Sequence, residues 1–248
     1  MSAASARAPL AVMAPLLFRL QLAGLRRHWR PYVMVSAVMP AGIVLLLHLV
    51  APHLGRSEEI QVVMGDMLLA EAISTVVMLS QQLAWLRQSR GLDHYLVLPV
   101  NVPLYLTVMS LCYSLFAWPG VVCIGFEGAL LYGLPLHASA AILPILLLSG
   151  LALGGIGAVI GLLSPREGLA GLFGNLVMMG ILFAGLVPAS TASAWTTWAL
   201  RLVPSSYGIS LLRQATLGDP AAWSDWVGLT IYAAAVLAIA VWAMRRPE

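Results

Sequence analysis

A bilayer's hydrocarbon core is crossed by a helix of about 20 apolar residues, and this sequence offers such runs at about 32–51, 62–85, 102–125, 138–163, 168–187 and 226–244. In lipid each backbone N–H and C=O has to be satisfied within its own segment, so runs of this kind fold as helices. Composition argues the same way. Hydrophobic residues make up 60% of the chain and charged residues 9%, whereas a soluble domain carries roughly 25% charged residues. So little charge cannot cover a water-exposed surface. The expected fold is all-α and integral to a membrane, a single domain over 1–248 with six transmembrane helices. Pro40 and Pro119 fall inside the first and third runs, and Pro40 is an expected kink.

The segment 9–30 has a different pattern. Leu10, Met13, Leu16, Leu17 and Leu20 recur at helical spacing, with Arg19, Arg26, Arg27 and Arg30 around them. This is an amphipathic helix suited to the membrane interface, its arginines toward lipid headgroups. A cytosolic helix packed on a partner is the alternative. The arginines interrupt any clean apolar core, which argues against a cleavable signal.

All 13 basic residues are arginine. With the N-terminus in the cytoplasm, Arg7, Arg19, Arg26, Arg27, Arg30, Arg87, Arg90, Arg166, Arg245 and Arg246 fall on the inner side. Arg56, Arg201 and Arg213 fall outside. This asymmetry places both termini inside, in agreement with an even number of crossings. The small net charge of +3 serves that orientation rather than nucleic-acid binding.

Trp195, Trp198, Trp223 and Trp226 bracket the long connection between the fifth and sixth runs, where an interface is expected. Within it, 207–217 reads as an apolar helix too short to span, and short re-entrant or surface-lying outer helices fit best.

Several motifs carry no site chemistry. Gly150, Gly154, Gly155, Gly157 and Gly161 resemble a phosphate loop, but neither Lys-Ser nor Lys-Thr follows them. Small residues that let helices approach closely explain them better. His48, His53 and His137 have no carboxylate or Cys at ligand spacing, so no metal is expected. No nucleophile elbow accompanies the Ser, His and Asp residues, so no catalytic residue is expected either. Cys112 and Cys123, about 16 Å apart along one helix, cannot pair within it.

Two polar features remain. Asp66 and Glu71 are the acids expected inside a run, Asp66 near the outer interface and Glu71 about halfway along. A buried charge in lipid costs at least about 2.5 kcal/mol, so Glu71 should face the bundle interior, either in a substrate path or in a structural hydrogen bond. Glu127 reads as a boundary residue. The second feature is the inner loop 87–101, Arg-Gln-Ser-Arg-Gly-Leu-Asp-His-Tyr-Leu-Val-Leu-Pro-Val-Asn. Gly91 can stop one helix and Pro99 limits the next. Leu92, Tyr95, Leu96 and Leu98 then offer an apolar surface beside Asp93 and His94, a docking knob for a partner or else a plain solvated loop.

Three segments resemble a known family. Gly91-Leu92-Asp93-His94-Tyr95-Leu96-Val97-Leu98-Pro99-Val100 is similar to a Gly-Thr-Leu-acid…Pro-Val pattern, without the Thr. The stretch 164–188 leads from Arg166 and Glu167 through Asn175-Leu176 to Leu182-Phe183-Ala184-Gly185-Leu186-Val187-Pro188. Pro204-Ser205-Ser206-Tyr207, then Leu212-Arg213 and Gly218, resembles Pro-Leu-x-Tyr…Leu-Arg…Gly, with Ser210 where an acid is usual. Together they resemble the ABC-2 type permeases, the membrane half of ATP-binding-cassette exporters.

The resemblance implies a second permease subunit, identical or related, and two cytosolic ATPase subunits beneath. ATP and Mg belong to those partners and no cofactor to this chain. It implies an exporter in a bacterial inner or plasma membrane, moving an amphipathic or hydrophobic drug, lipid or lipid-linked compound. Arg87, Arg90, Gly91, Leu92, Asp93, His94, Tyr95 and Pro99 would meet the ATPase. Glu71 and Asn175 are the polar candidates for the path, and Pro204, Tyr207, Arg213 and Gly218 form the outer motif. An ATP-independent secondary transporter, which would favour inverted repeats, and a membrane-embedded lipid enzyme, which needs clustered acids and histidines, are the alternatives.

Overall fold

The computed structural model describes residues 10–26, 29–51, 55–92, 101–134, 139–186, 203–218 and 222–245. The chain begins with α1 (Leu10–Arg26) and α2 (Trp29–Val50). It continues through α3 (Arg56–Ala72), a π-helical segment (Ile73–Met78) and α4 (Leu79–Gln88). Then come α5 (Val102–Tyr132), α6 (Ile142–Leu163), α7 (Glu167–Leu186), α8 (Pro204–Leu217) and α9 (Trp223–Met244). No strand occurs among the described residues.

Five helical stretches are long and apolar enough to cross a membrane: Arg30–Val50, the continuous rod Arg56–Gln88, Val102–Tyr132, Ile142–Leu163 and Trp223–Met244. The fifth expected crossing, 168–187, corresponds to the 20-residue α7, apolar over its described stretch Glu167–Phe183. Five of the six expected crossings thus meet that length and hydropathy among the described residues.

Helix ends differ from the apolar runs for local reasons. The rod starts at Arg56 rather than 62, because Glu58 and Glu59 suit the positive end of a helix. The Glu58 carboxylate also accepts the Gly55 N–H at 3.1 Å. α5 continues past 125 to Tyr132, where Gly133 takes a left-handed φ of 58° and stops it. Glu127, expected at a boundary, therefore lies within α5. α2 runs through Pro40 as one helix.

The rod and α6 form the centre. In lipid, bringing two apolar side chains together displaces no water, so helices are held by close packing and interhelical hydrogen bonds. At the α3 end Val63, Met64 and Leu68 join Ile124 of α5, Ile145 of α6 and Ile209 of α8 in one cluster. At the α4 end Leu79, Leu83 and Leu86 join Tyr105 and Met109 of α5, Leu162 of α6 and Leu17 of α1. α1 thus docks by Leu17 and leaves Leu16 and Leu20 exposed. α8, of 14 residues, reaches about 21 Å, less than a hydrocarbon core, as the sequence anticipated for a short helix before the last crossing.

Candidate functional site

Glu71 occupies the middle of the rod, completely buried. Its Oε1 accepts the Ser114 hydroxyl of α5 at 2.6 Å. Gly150 of α6 makes the room: a Cβ there would strike Ser114 Oγ and lie 2.7 Å from Glu71 Oε1. Three helices therefore meet at one carboxyl, as expected of an acid facing the bundle interior. Its Oε2, and the buried hydroxyls of Ser74, Ser110, Ser149 and Ser205, have no hydrogen-bond partner among the described residues. A buried polar group without a partner is rare and expensive, so these atoms mark the most polar interior of the bundle.

Asp66, expected near an interface, is 2% exposed, and its Oδ2 also lacks a partner among the described residues. The rod's first turns are covered by α5 and α8, which buries Asp66 within the bundle. Asn175 is exposed on α7, whereas Ala170, Met178 and Ile181 of that helix are buried. The two expected path residues are therefore not brought together within one chain.

Directly after Glu71 the rod loosens into its π-helical segment. Thr75 turns its hydroxyl onto the Glu71 carbonyl at 2.7 Å, a back-bond that competes with the helical ladder and bends helices. Single π turns inside α-helices are frequent at functional sites. The carbonyls of this stretch lie against glycines: a Cβ on Gly157 would strike the Thr75 oxygen, and one on Gly161 would sit 2.5 Å from that of Ser80. On the other side Gly174 of α7 lies over Val77, and the Ser80 hydroxyl donates to the Val77 carbonyl at 2.8 Å. The glycines of α6 are thus close-approach residues, as read from the sequence, and Gly155 serves α9 by meeting Val236. The irregular turn was not legible beforehand, since π geometry leaves no periodicity signal in an apolar run.

At the far end of the rod, Arg87 donates from its guanidinium to the Leu162 carbonyl, and Gln88 donates to the Pro165 carbonyl at 3.4 Å. Arg87 therefore satisfies the exposed carboxyl end of α6, where a cation is favoured. The residue that turns the chain is Arg90, with φ 55°, not Gly91 as expected. Gly91 lies one step later, where a Cβ would meet Leu86 at 3.0 Å, so its smallness serves close approach to the last turn. Leu92 was expected on a docking surface; it is 7% exposed and packed in the chain's own core. Arg90 remains exposed. Asp93, His94, Tyr95, Leu96, Leu98 and Pro99 lie outside the described residues, as do His53, His137, Trp195 and Trp198.

The outer motif is better defined. Pro204 is the first residue of α8, a position where its missing N–H is harmless. Gly218 closes the helix with φ 77°. The Tyr207 ring lies on Gly228 of α9, 2.7 Å from where a Cβ would be. Arg213 sits half-buried on the same helix. Ser210, which stands where an acid was usual, donates to Asp225 Oδ2 of α9 at 2.6 Å. Gln214 donates to the same oxygen at 3.4 Å and accepts the Ala222 N–H at 2.7 Å. An acid therefore stands beside Ser210 in space, supplied by the first turn of α9, where a carboxylate suits the helix dipole. By sequence Asp225 is only the end of a connection.

A family model described as "ABC-2 family transporter protein" matches residues 57–242, from the first turn of the rod almost to the end of α9. No curated protein matches the chain. The match spans the crossing helices from the rod onward together with the Pro204–Gly218 motif, and it makes this multi-pass bundle a transport subunit rather than a catalytic one: the chain belongs to the ABC-2 family of transporter permeases.

Proposed function

We propose that this chain is the permease subunit of an ATP-driven exporter that moves an amphipathic or hydrophobic compound, a drug, lipid or lipid-linked molecule, out of the cytoplasm. The family match over 57–242 is the observation that carries the reading. The interior supports the substrate class: among the described residues the buried polar groups are a few serines and threonines with Asp66 and Glu71, too few to replace the hydration of a sugar or ion.

In this reading α7, whose 20 residues reach about 30 Å, completes six crossings. Both termini lie in the cytoplasm. α1 lies in the inner interface, exposing Leu16 and Leu20 to lipid, and α8 sits on the outer side. Two such subunits, identical or related, enclose the path, with Glu71 and Asn175 as its polar candidates. Two cytosolic ATPase subunits carry ATP and Mg and meet the permease at α1 and the loop from Arg90 through Asp93, His94, Tyr95 and Pro99. A bacterial inner membrane is the compartment. The nucleotide drives the switch through its different affinities for the two access states.

Co-purification with the candidate ATPase tests this. The wild-type chain should bring down the ATPase, and Asp93→Arg with Tyr95→Ala should lose it. Retention by the double variant would move the contact elsewhere. No association at all would favour transport without ATP.

A further inference from the structure

A second feature lies at the arginine-bearing end. A cavity of about 500 Å³ opens between α1, the start of α2, α4, α5 and the first residue of α7. Tyr32, Trp85 and Tyr113 give it aromatic walls, Gln21 and Gln82 supply amides, and Glu167 supplies a carboxylate. Tyr32 and Tyr113 meet edge to face at 6.3 Å. Trp85 and Glu167 are exposed at the mouth. Gln21 Nε2 is buried with no hydrogen-bond partner among the described residues. Amide orientation is fixed only by partners, so its oxygen can equally face the space.

Aromatic faces carry negative charge density and attract an ammonium ion, more strongly when it is partly desolvated. A carboxylate beside them adds attraction of the same sign. An anion would meet repulsion from both. We infer that this cavity binds the ammonium headgroup of an amphiphile whose chain extends into the lipid, through Trp85, Tyr32, Tyr113 and Glu167. The assignment rests on the export reading only insofar as the amphiphile is cargo. The same chemistry is offered by a cationic drug or by an aminophospholipid headgroup.

Binding of radiolabelled dodecyltrimethylammonium to the full chain in nanodiscs tests it without any ATPase. Wild type should bind saturably. Glu167→Gln and Trp85→Leu should each weaken binding about five- to tenfold. Gly24→Leu should abolish it, because Gly24 lines the cavity and a Cβ there meets nothing within 4 Å. Dodecyl sulfate should not compete. Unchanged binding in Glu167→Gln with a wild-type melting profile, or displacement by dodecyl sulfate, would overturn the site. In discs of equal phosphatidylethanolamine and phosphatidylglycerol, native mass spectrometry separates the sources. Enrichment of phosphatidylethanolamine that is lost in Glu167→Gln marks a lipid headgroup, and saturable dodecyltrimethylammonium binding without enrichment marks a cationic solute. Ammonium binding without ATPase association would sink the exporter and leave the site; ATPase association without binding does the reverse.

Discussion

The Ser114 hydroxyl donates to Glu71 Oε1 at 2.6 Å, tying α5 to the rod immediately before the rod turns π-helical. The carboxyl is fully buried, and its other oxygen has no partner among the described residues. Removing a donor from a buried acceptor costs about 1–3 kcal/mol. Ser114→Ala should therefore lower the midpoint of thermal unfolding in detergent. Glu71→Gln keeps an acceptor for Ser114 and removes the chargeable group, so it should melt at or above wild type. A Gln variant that melts well below wild type would show that the acidic oxygen has a stabilising partner in the membrane.

The glycines of α6 and α7 predict graded effects. At Gly157 the atom in the way is the Thr75 backbone oxygen, which an added methyl would strike. Backbone cannot swing aside as a side-chain tip can. Gly157→Ala should cost about 1–3 kcal/mol and reduce the yield of folded protein. At Gly180 nothing lies within 4 Å, so Gly180→Ala should be neutral or slightly stabilising through helix propensity. Equal melting of the two variants would contradict the close approach of α6 to the π-helical segment.

The crossings are legible in the sequence because apolar length is a one-dimensional property. So is the inward Glu71, since a mid-run acid has nowhere else to go, and the close-approach role of Gly150, Gly154, Gly155, Gly157 and Gly161. What escapes a sequence reading depends on residues far apart in the chain. That Asp66 is covered by α5 and α8 follows from helices its position along the run does not reveal. Leu92 looks like an exposed knob but completes a cluster with Leu17 and Leu86. Arg90 takes the left-handed turn expected of its glycine neighbour, and Gly91 lies close against Leu86 one step later. Ser210 with Asp225, fifteen residues apart, shows no pattern that a single sequence reveals.

Arginines at the two ends of the rod do the same job. Arg56 donates to the carbonyls of Tyr132 and Gly133, the latter at 2.9 Å, closing the end of α5, and Arg87 closes the end of α6 through Leu162. Because Arg56 is half-exposed, its two charge-assisted bonds are worth about 1 kcal/mol after screening. Arg56→Ala should show that loss in thermal unfolding, and Arg56→Lys should recover only part of it, lacking the planar fork. The Arg56–Glu59 pair at 3.5 Å lies at the surface and should contribute little, so Glu59→Gln should lower the midpoint less than Arg56→Ala, by no more than its small helix-dipole contribution.

The contact between α8 and α9 predicts a charge exchange. Asp225 Oδ2 receives both Ser210 and Gln214, and Gln214 in turn holds the Ala222 N–H at the start of α9. An acid introduced at Ser210 would face Asp225 at the distance where a hydroxyl now donates, and two like charges in a half-buried site repel. Ser210→Asp alone should destabilise the chain and weaken the α8–α9 contact, read as faster cleavage of the 203–222 stretch by a protease added to nanodiscs. Adding Asp225→Ser moves the carboxylate to α8 and the hydroxyl to α9, keeps one donor for one acceptor, and should restore most of the lost stability. Asp225→Ala should be worse than Asp225→Asn, which still accepts from Ser210. If Ser210→Asp is tolerated and the exchange brings no recovery, the two residues do not share one hydrogen bond, and the acid of the family pattern has no counterpart here.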